Sequence, residues 1–271
     1  MKRCLCLAGL LVLLLAIVGH AYGELIERKT GSGVVVGYKD TPLLPWTENK
    51  YRVHDPDRPI PRYVNPGPAS TTPDKAPSDA IVLFDGEDLS AWQPSSWKVK
   101  DGYAEVAGGS LVTKESFGDC QLHVEWMAPK DPGSQMMNRG NSGVLLMGLY
   151  ELQVFDSHPE REVQIYPDGQ TASIYGQTPP LVNASRRGGE WQSFDIIFTA
   201  PVFDGTKLVS PPRVTMCHNG VLVHNDQEIY GPMAHRVILP LKPHAAKLPL
   251  MLQGHGCPVR YRNIWVRPLN R

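Results

Sequence analysis

From Ile81 to Val266 the chain is a succession of short runs in which apolar and polar residues alternate, and no stretch carries a helical apolar stripe. Gln121–Met127 puts Leu122, Val124 and Trp126 on one side and His123 and Glu125 on the other, the period-two pattern of a half-buried strand. Trp191–Thr199 does the same with Phe194, Ile196 and Phe198 against Ser193, Asp195 and Ile197. Asp101-Gly102 and Asn219-Gly220 sit between such runs and predict tight hairpins, because both dipeptides tolerate the left-handed backbone those turns need. Shorter strands are predicted at Ile81–Phe84, Ser110–Thr113, Leu248–Gln253 and Tyr261–Val266. Roughly a dozen short strands with no repeat period predict an all-β sandwich of two packed antiparallel sheets, jelly-roll in style.

The densest chemistry falls on Arg139–Asp156, read as two strands joined by a turn at Gly148. The first, Ser142–Met147, is apolar behind a polar mouth of Arg139, Asn141 and Ser142. The second alternates, so Tyr150, Leu152 and Val154 share one face while Glu151 and Gln153 share the other. Strict parity puts Asp156 opposite Glu151, but one bulged residue between Val154 and Asp156 would swing it back to join them in one groove. The competing reading is a solvated outer face. His123 and Glu125 form a second polar strip that either lines the same groove or is simply wet. His255 lies between Gly254 and Gly256, where no neighbouring side chain hides the ring, and is expected at the site. The irregular stretch after Asp156 carries aromatic and amide residues up to Glu190 and is expected as an ordered lid beside the groove.

The ends and the composition add limits. Lys2 and Arg3, the apolar run Leu5–Val18 and the small-x-small step Ala21-Tyr22-Gly23 predict a signal peptide over residues 1–23, and export to the periplasm or beyond. Residues 24–78 are rich in proline yet carry Tyr38, Trp46, Tyr51 and Tyr63, too aromatic for a disordered tail. They are expected as an extended arm lying along the domain or a sheet edge, with the sandwich occupying 79–271. Lysine plus arginine equals aspartate plus glutamate at 27 each, which argues against nucleic acid or an anionic membrane as partner. Once the signal leaves, Cys120, Cys217 and Cys257 remain, so this is no disulfide scaffold. Cys257 has no second Cys or His at metal-ligand spacing apart from neighbouring His255. Asn183-Ala-Ser185 matches a glycosylation sequon.

Several blocks taken in order resemble one family. They are Leu83-Phe-Asp-Gly-Glu-Asp-Leu-Ser-Ala-Trp92, Arg139-Gly-Asn-Ser-Gly143, Tyr150-Glu-Leu-Gln-Val-Phe-Asp-Ser157, Ser173-Ile-Tyr-Gly-Gln177, Pro180-Leu-Val-Asn-Ala184, Gly189-Glu-Trp191, Asn219-Gly-Val-Leu-Val223 and Leu252-Gln-Gly-His-Gly256 with Arg262-Asn-Ile-Trp265. Together they resemble the 3-keto-disaccharide hydrolase domain over about Ile81 to Pro268. The resemblance implies a concanavalin A-like β-sandwich, export from a bacterial cell, and cleavage of glycosides whose sugar carries a ketone at C3. Gly254 and Cys257 stand where the resemblance leads one to expect Asp and Asn. Laminarinase-like glucanases of the same fold place Glu-x-Asp-x-x-Glu on a bulged strand; here the triplet is Glu151, Gln153 and Asp156, with an amide at its centre.

A 3-keto group acidifies the C2 proton, so the implied chemistry needs a base, donors for an enolate oxygen and an acid for the leaving group. Glu151 or His255 is expected as the base and Asp156 as the acid. Arg139, Asn141 and Gln153, with Tyr175 and Gln177 from the Ser173–Gln177 block, are expected to hold the carbohydrate substrate. A divalent metal on Glu151, Asp156 and His255 is the alternative to those donors. A carbohydrate-binding, lectin-like sandwich without turnover is the alternative to an enzyme.

Overall fold

The computed structural model describes residues 24–31, 33–70, 75–131 and 138–269, so the expected signal peptide lies outside the described residues. The strands, in chain order, are β1 (Leu25–Thr30), β2 (Gly33–Tyr38), β3 (Ile81–Phe84), β4 (Lys98–Lys100), β5 (Tyr103–Glu105) and β6 (Leu111–Phe117). They continue with β7 (Cys120–Met127), β8 (Ser142–Leu146), β9 (Tyr150–Val154), β10 (Val163–Ile165), β11 (Gln192–Thr199) and β12 (Val202–Asp204). The last are β13 (Lys207–Ser210), β14 (Arg213–His218), β15 (Val221–Glu228), β16 (Leu248–Leu252) and β17 (Arg260–Pro268). No helix among the described residues is long and apolar enough to cross a membrane.

Two antiparallel sheets make the sandwich. The larger runs β15-β14-β11-β7-β17-β5-β4, with β3 also on β17, and the smaller runs β6-β16-β8-β9. The alternation read from the sequence explains how they meet. Leu122, Val124 and Trp126 of β7, with Phe194, Ile196 and Phe198 of β11, point into one apolar core. Val144, Leu146, Tyr150, Leu152, Val154, Leu250 and Leu252 of the smaller sheet meet them there. Tyr150 and Phe198 approach ring to ring across the gap at 6.0 Å. Burying side chains of this size stabilises each by roughly 1.5–3 kcal/mol, so this interface carries the fold. Within it Ser142 Oγ bonds the Tyr261 hydroxyl at 2.7 Å and the Gln253 carbonyl at 2.6 Å, which ties the sheets together with a satisfied polar contact.

The arm does more than lie along an edge. Strand β2 pairs with β1 on one side and runs parallel to β10 on the other, with Val34 opposite Val163 and Val36 opposite Ile165. Val36 and Tyr38 join Phe155, Ile165 and Tyr166 in a second, smaller apolar cluster. That cluster sits on the outward side of the smaller sheet, because Phe155 follows the parity of Glu151 and Gln153 rather than that of the core residues Leu152 and Val154.

Candidate active site

Strand β9 places the central group. Its pairing with β8 is regular from Ser142–Val154 to Leu146–Tyr150, with no bulge. The ladder ends at Val154, and Phe155 keeps the outward parity of Glu151 and Gln153 in the cavity lining, so no kink turns Asp156 into their row. Tyr150, Leu152 and Val154 face the core, and Glu151, Gln153 and Phe155 face outward in a row. The outward face is not solvated: Glu151 is 3% and Gln153 2% exposed. The arm and the 155–177 stretch lie over it, which a strand pattern cannot reveal.

Loss of hydration pushes the Glu151 carboxyl up to about 8. Diagonally across on β8, opposite Gln153, stands Gly143, where a β-carbon would lie 2.9 Å from Glu151 Cδ and Cγ and would collide with Oε1. Only glycine leaves the carboxyl its place. With its amide turned to suit its neighbours, Gln153 donates to the Ser142 carbonyl at 3.0 Å and to Glu151 Oε1 at 3.3 Å.

These residues floor a cavity of about 410 Å³, within the range of small-molecule sites. Asn141, Glu151, Gln153 and Gln253 form its polar side, with His255 at the mouth. Tyr38, Phe155, Ile165, Tyr166, Tyr175, Met233 and His235 form the rest. Tyr175 OH is 2.8 Å from His235 Nδ1 and 3.1 Å from Tyr166 OH. Burial raises the Tyr175 phenol well above its usual value, so it stays a donor at neutral pH. Lost hydration first, then His54, Arg236 and His255, lower His235 to about 4. Near pH 7 it is a neutral imidazole.

Of the expected site residues, the fold brings Glu151, His255, Asn141, Gln153 and Tyr175 to this cavity. Asp156, Arg139 and Gln177 are not among its lining. Asp156 lies off the pocket row, buried to 1% exposure and ion-paired with Arg161, whose Nε donates to Oδ2 at 2.8 Å. Arg139 spends Nε on the Asp156 carbonyl and Nη1 on the Val163 carbonyl while its guanidinium covers the Phe155 ring, so it anchors the end of β9. Gln177 is satisfied at both ends, donating to the Gly231 carbonyl and accepting from the Tyr230 N–H, each at 2.8 Å. Replacing Arg161 by alanine is expected to cost roughly 2 kcal/mol in denaturant unfolding, because the buried Asp156 carboxylate loses its cation. An unchanged unfolding midpoint would show the pair to be dispensable.

The second polar strip belongs elsewhere. His123 and Glu125 point away from the core on the larger sheet, opposite to the side carrying Glu151. They are buried rather than wet, since His123 bonds Asp195 at 2.6 Å and Arg262 donates to Glu125 at 2.6 Å. Burial alone would lower His123, but the Asp195 and Glu125 carboxylates outweigh it and hold the ring at about 9. Among the described residues no three His, Cys, Asp or Glu side chains come together as metal ligands, so Glu151, Asp156 and His255 do not form the set considered above.

The two departures from the resemblance have local causes. A β-carbon at Gly254 would crowd the Gly108 and Gly109 carbonyls, so no side chain fits there. The Cys257 thiol is buried and donates to the Asn138 carbonyl and side-chain oxygen. The sequon is closed as well: Asn183 is buried, with Nδ2 donating to the Ser157 carbonyl at 2.7 Å. Sequence patterns did not single out Tyr166, Met233, His235 or Gln253 for the site. Gln253 alone had a readable signal, since it shares the outward parity of Met251 on β16.

The model of a family described as the 3-keto-alpha-glucoside-1,2-lyase-like domain matches residues 79–267. A 3-keto-disaccharide hydrolase from Bacteroides thetaiotaomicron is 25% identical over 166 residues, which are 46% of this chain and 53% of that protein. The chain thus spans about half the length of this curated relative. Among solved structures, a candidate glycosyl hydrolase from Parabacteroides distasonis is 41% identical with a TM-score of 0.67, covering 77% of this chain and 94% of that one. A second from the same organism shares the fold at 18% identity and a TM-score of 0.52, covering 71% of this chain and 95% of that one.

Proposed function

The chain belongs to the 3-keto-alpha-glucoside-1,2-lyase-like domain family, and from that membership we propose that it cleaves 3-keto-glycosides, 3-keto-disaccharides among them, by removing the C2 proton. The observation that supports this most is Glu151, a carboxyl buried in a sugar-sized cavity and pushed up to about 8. A base of that strength suits a proton made acidic by a neighbouring ketone, since proton transfer is most efficient when the base titrates near working pH.

In the proposed sequence Glu151 takes the C2 proton, and the C–H electrons move into an enolate whose charge rests on the C3 oxygen. The Asn141 side-chain amide, on the same polar side of the cavity, is the donor assigned to that oxygen, while Gln153 holds Glu151 in place. The enolate then re-forms the ketone, makes the C1–C2 double bond and expels the C1 oxygen substituent. Asp156, off the pocket, is not the acid in this scheme; the rim imidazole of His255 supplies that proton. Water adds to C1, giving one proton back to the His255 imidazole, and Glu151 returns its proton to C2. The net result is a 3-keto sugar and a free alcohol or sugar. The N-terminal pattern of residues 1–23 supports an exported protein acting in the periplasm or outside the cell.

Incubation of the purified protein with a 3-keto-disaccharide is expected to release both halves, and the unoxidised disaccharide is expected to stay intact. Binding without release would leave a carbohydrate-binding sandwich in its place, and equal cleavage of both substrates would make it an ordinary glycosidase. The pH profile follows from the base. Below its raised value Glu151 holds a proton and cannot act, so kcat/KM is expected to rise about tenfold per pH unit and level off above about 8. A profile flat between about pH 5 and 9 would remove Glu151 as the base.

A further inference from the structure

The cavity has two unlike halves, and the arm outside the matched segment contributes to one of them. Asn141, Glu151, Gln153 and Gln253 hold the polar half, on β8, β9 and the end of β16. In the other half Tyr38 lies 6.0 Å from Tyr166 and 5.7 Å from His235, ring to ring, and His235 stacks on Tyr175 at 6.4 Å. The arm supplies Tyr38 and also fixes the rings around it. His54 stacks on Tyr166 at 3.9 Å, and its backbone N–H bonds Asp168 at 3.0 Å. Trp46 stacks on Tyr230 at 4.3 Å. Trp46 Nε1 and Arg58 Nη1 both donate to the Gln177 carbonyl, at 3.3 and 2.8 Å, two residues beyond Tyr175. Family membership begins at residue 79, so none of these arm residues belongs to the matched segment.

We propose that the arm completes a leaving-group subsite, in which the apolar face of a second sugar or an aromatic aglycone packs on the ring-lined half. The assignment of halves rests on the reaction proposed above. The keto sugar must sit where the base and the donors are, so the substituent at C1 extends toward the rings. Flat apolar faces are held by such walls through contact area and ring polarisation. Tyr38 is then a specificity-determining residue contributed by a segment that the family match omits.

The test uses the full chain with Tyr38→Phe, which keeps the ring, and Tyr38→Leu, which removes it while filling most of its volume. Two 3-keto-glucosides are compared, one with a phenyl and one with a methyl group at C1. In Tyr38→Leu the phenyl-over-methyl ratio of kcat/KM is expected to fall about tenfold, through KM, and Tyr38→Phe is expected to keep it. A Tyr38→Leu ratio equal to that of wild type overturns the proposal, even if both rates fall, because uniform loss means Tyr38 only supports the fold. A calorimetric titration with the unoxidised phenyl and methyl glucosides reads the same subsite without turnover. Ring-dependent preference for the phenyl compound in a protein that cleaves neither 3-keto substrate would sustain the subsite and remove the reaction. Cleavage with no ring-dependent preference would do the reverse.

Discussion

Glu151→Gln is expected to lower kcat/KM on a 3-keto-glucoside by about a thousandfold, the usual weight of a positioned general base, and to make the protein more stable at neutral pH. Both effects come from the same burial. An ordinary glutamate ionises near 4.5, whereas Glu151 holds its proton up to about 8. Below about 4.5 the group is neutral in the folded and the unfolded chain, and nothing is lost. As pH rises above that value the unfolded chain gives up its proton first, so folding is penalised progressively until the folded group ionises too. At pH 7 the penalty is on the order of 3 kcal/mol. Glutamine carries no such charge, so its advantage in urea unfolding is expected near pH 7 and expected to vanish near pH 4. A variant that loses activity but is less stable than wild type at pH 7 would mean that Glu151 is a structural hydrogen-bond partner and not a strained base.

Gly143→Ala should be almost as damaging without touching a titratable group. Its β-carbon would meet Cδ and Cγ of Glu151 at 2.9 Å and overlap Oε1. The backbone cannot step aside easily, because Gly143 pairs with Gln153 across the sheet and its carbonyl accepts from the Gln253 N–H at 2.8 Å. The Glu151 side chain therefore has to swing away from its place beside Gln153. Displacing a base by about an ångström costs on the order of a hundredfold in rate, and overpacking costs roughly 1–3 kcal/mol in stability. Steady-state kinetics and thermal unfolding check the two parts separately. Activity equal to wild type would show that Glu151 has no fixed position to lose.

The sandwich was legible in the sequence because its two halves each follow period two. Gln121–Met127 and Trp191–Thr199 show their core faces directly, and the Asn219-Gly220 hairpin closes β14 on β15 as its turn chemistry requires. The pairing of Glu151 with Gln153 was legible for the same reason. Asp156 was expected to swing into the row of Glu151 and Gln153 just past Val154, but that row ends at Phe155 and Asp156 pairs with Arg161 instead, and no local signal in the sequence distinguishes the two strand ends. Nor could parity say which side of the sandwich a polar strip occupies. His123 and Glu125 alternate as Glu151 and Gln153 do, yet the two pairs point away from each other, because they belong to opposite sheets. The cover over Glu151 was least legible of all. It depends on contacts such as His54 with Asp168 and Trp46 with Gln177, more than a hundred residues apart in the chain. Proline-rich segments carry no periodicity to announce them. The aromatic content of the arm was its one visible sign, and Tyr38 is where that sign led.

Breaking the C2–H bond is the step that separates this chemistry from direct displacement at C1. A 3-keto-glucoside deuterated at C2 should therefore be compared with its protium counterpart in single turnover at about pH 8, where half of Glu151 is ionised. The deuterated substrate is expected to be cleaved more slowly, with a primary isotope effect on the bond-breaking phase. Identical rates for the two would place the chemistry at C1 and leave Glu151 without a proton to take.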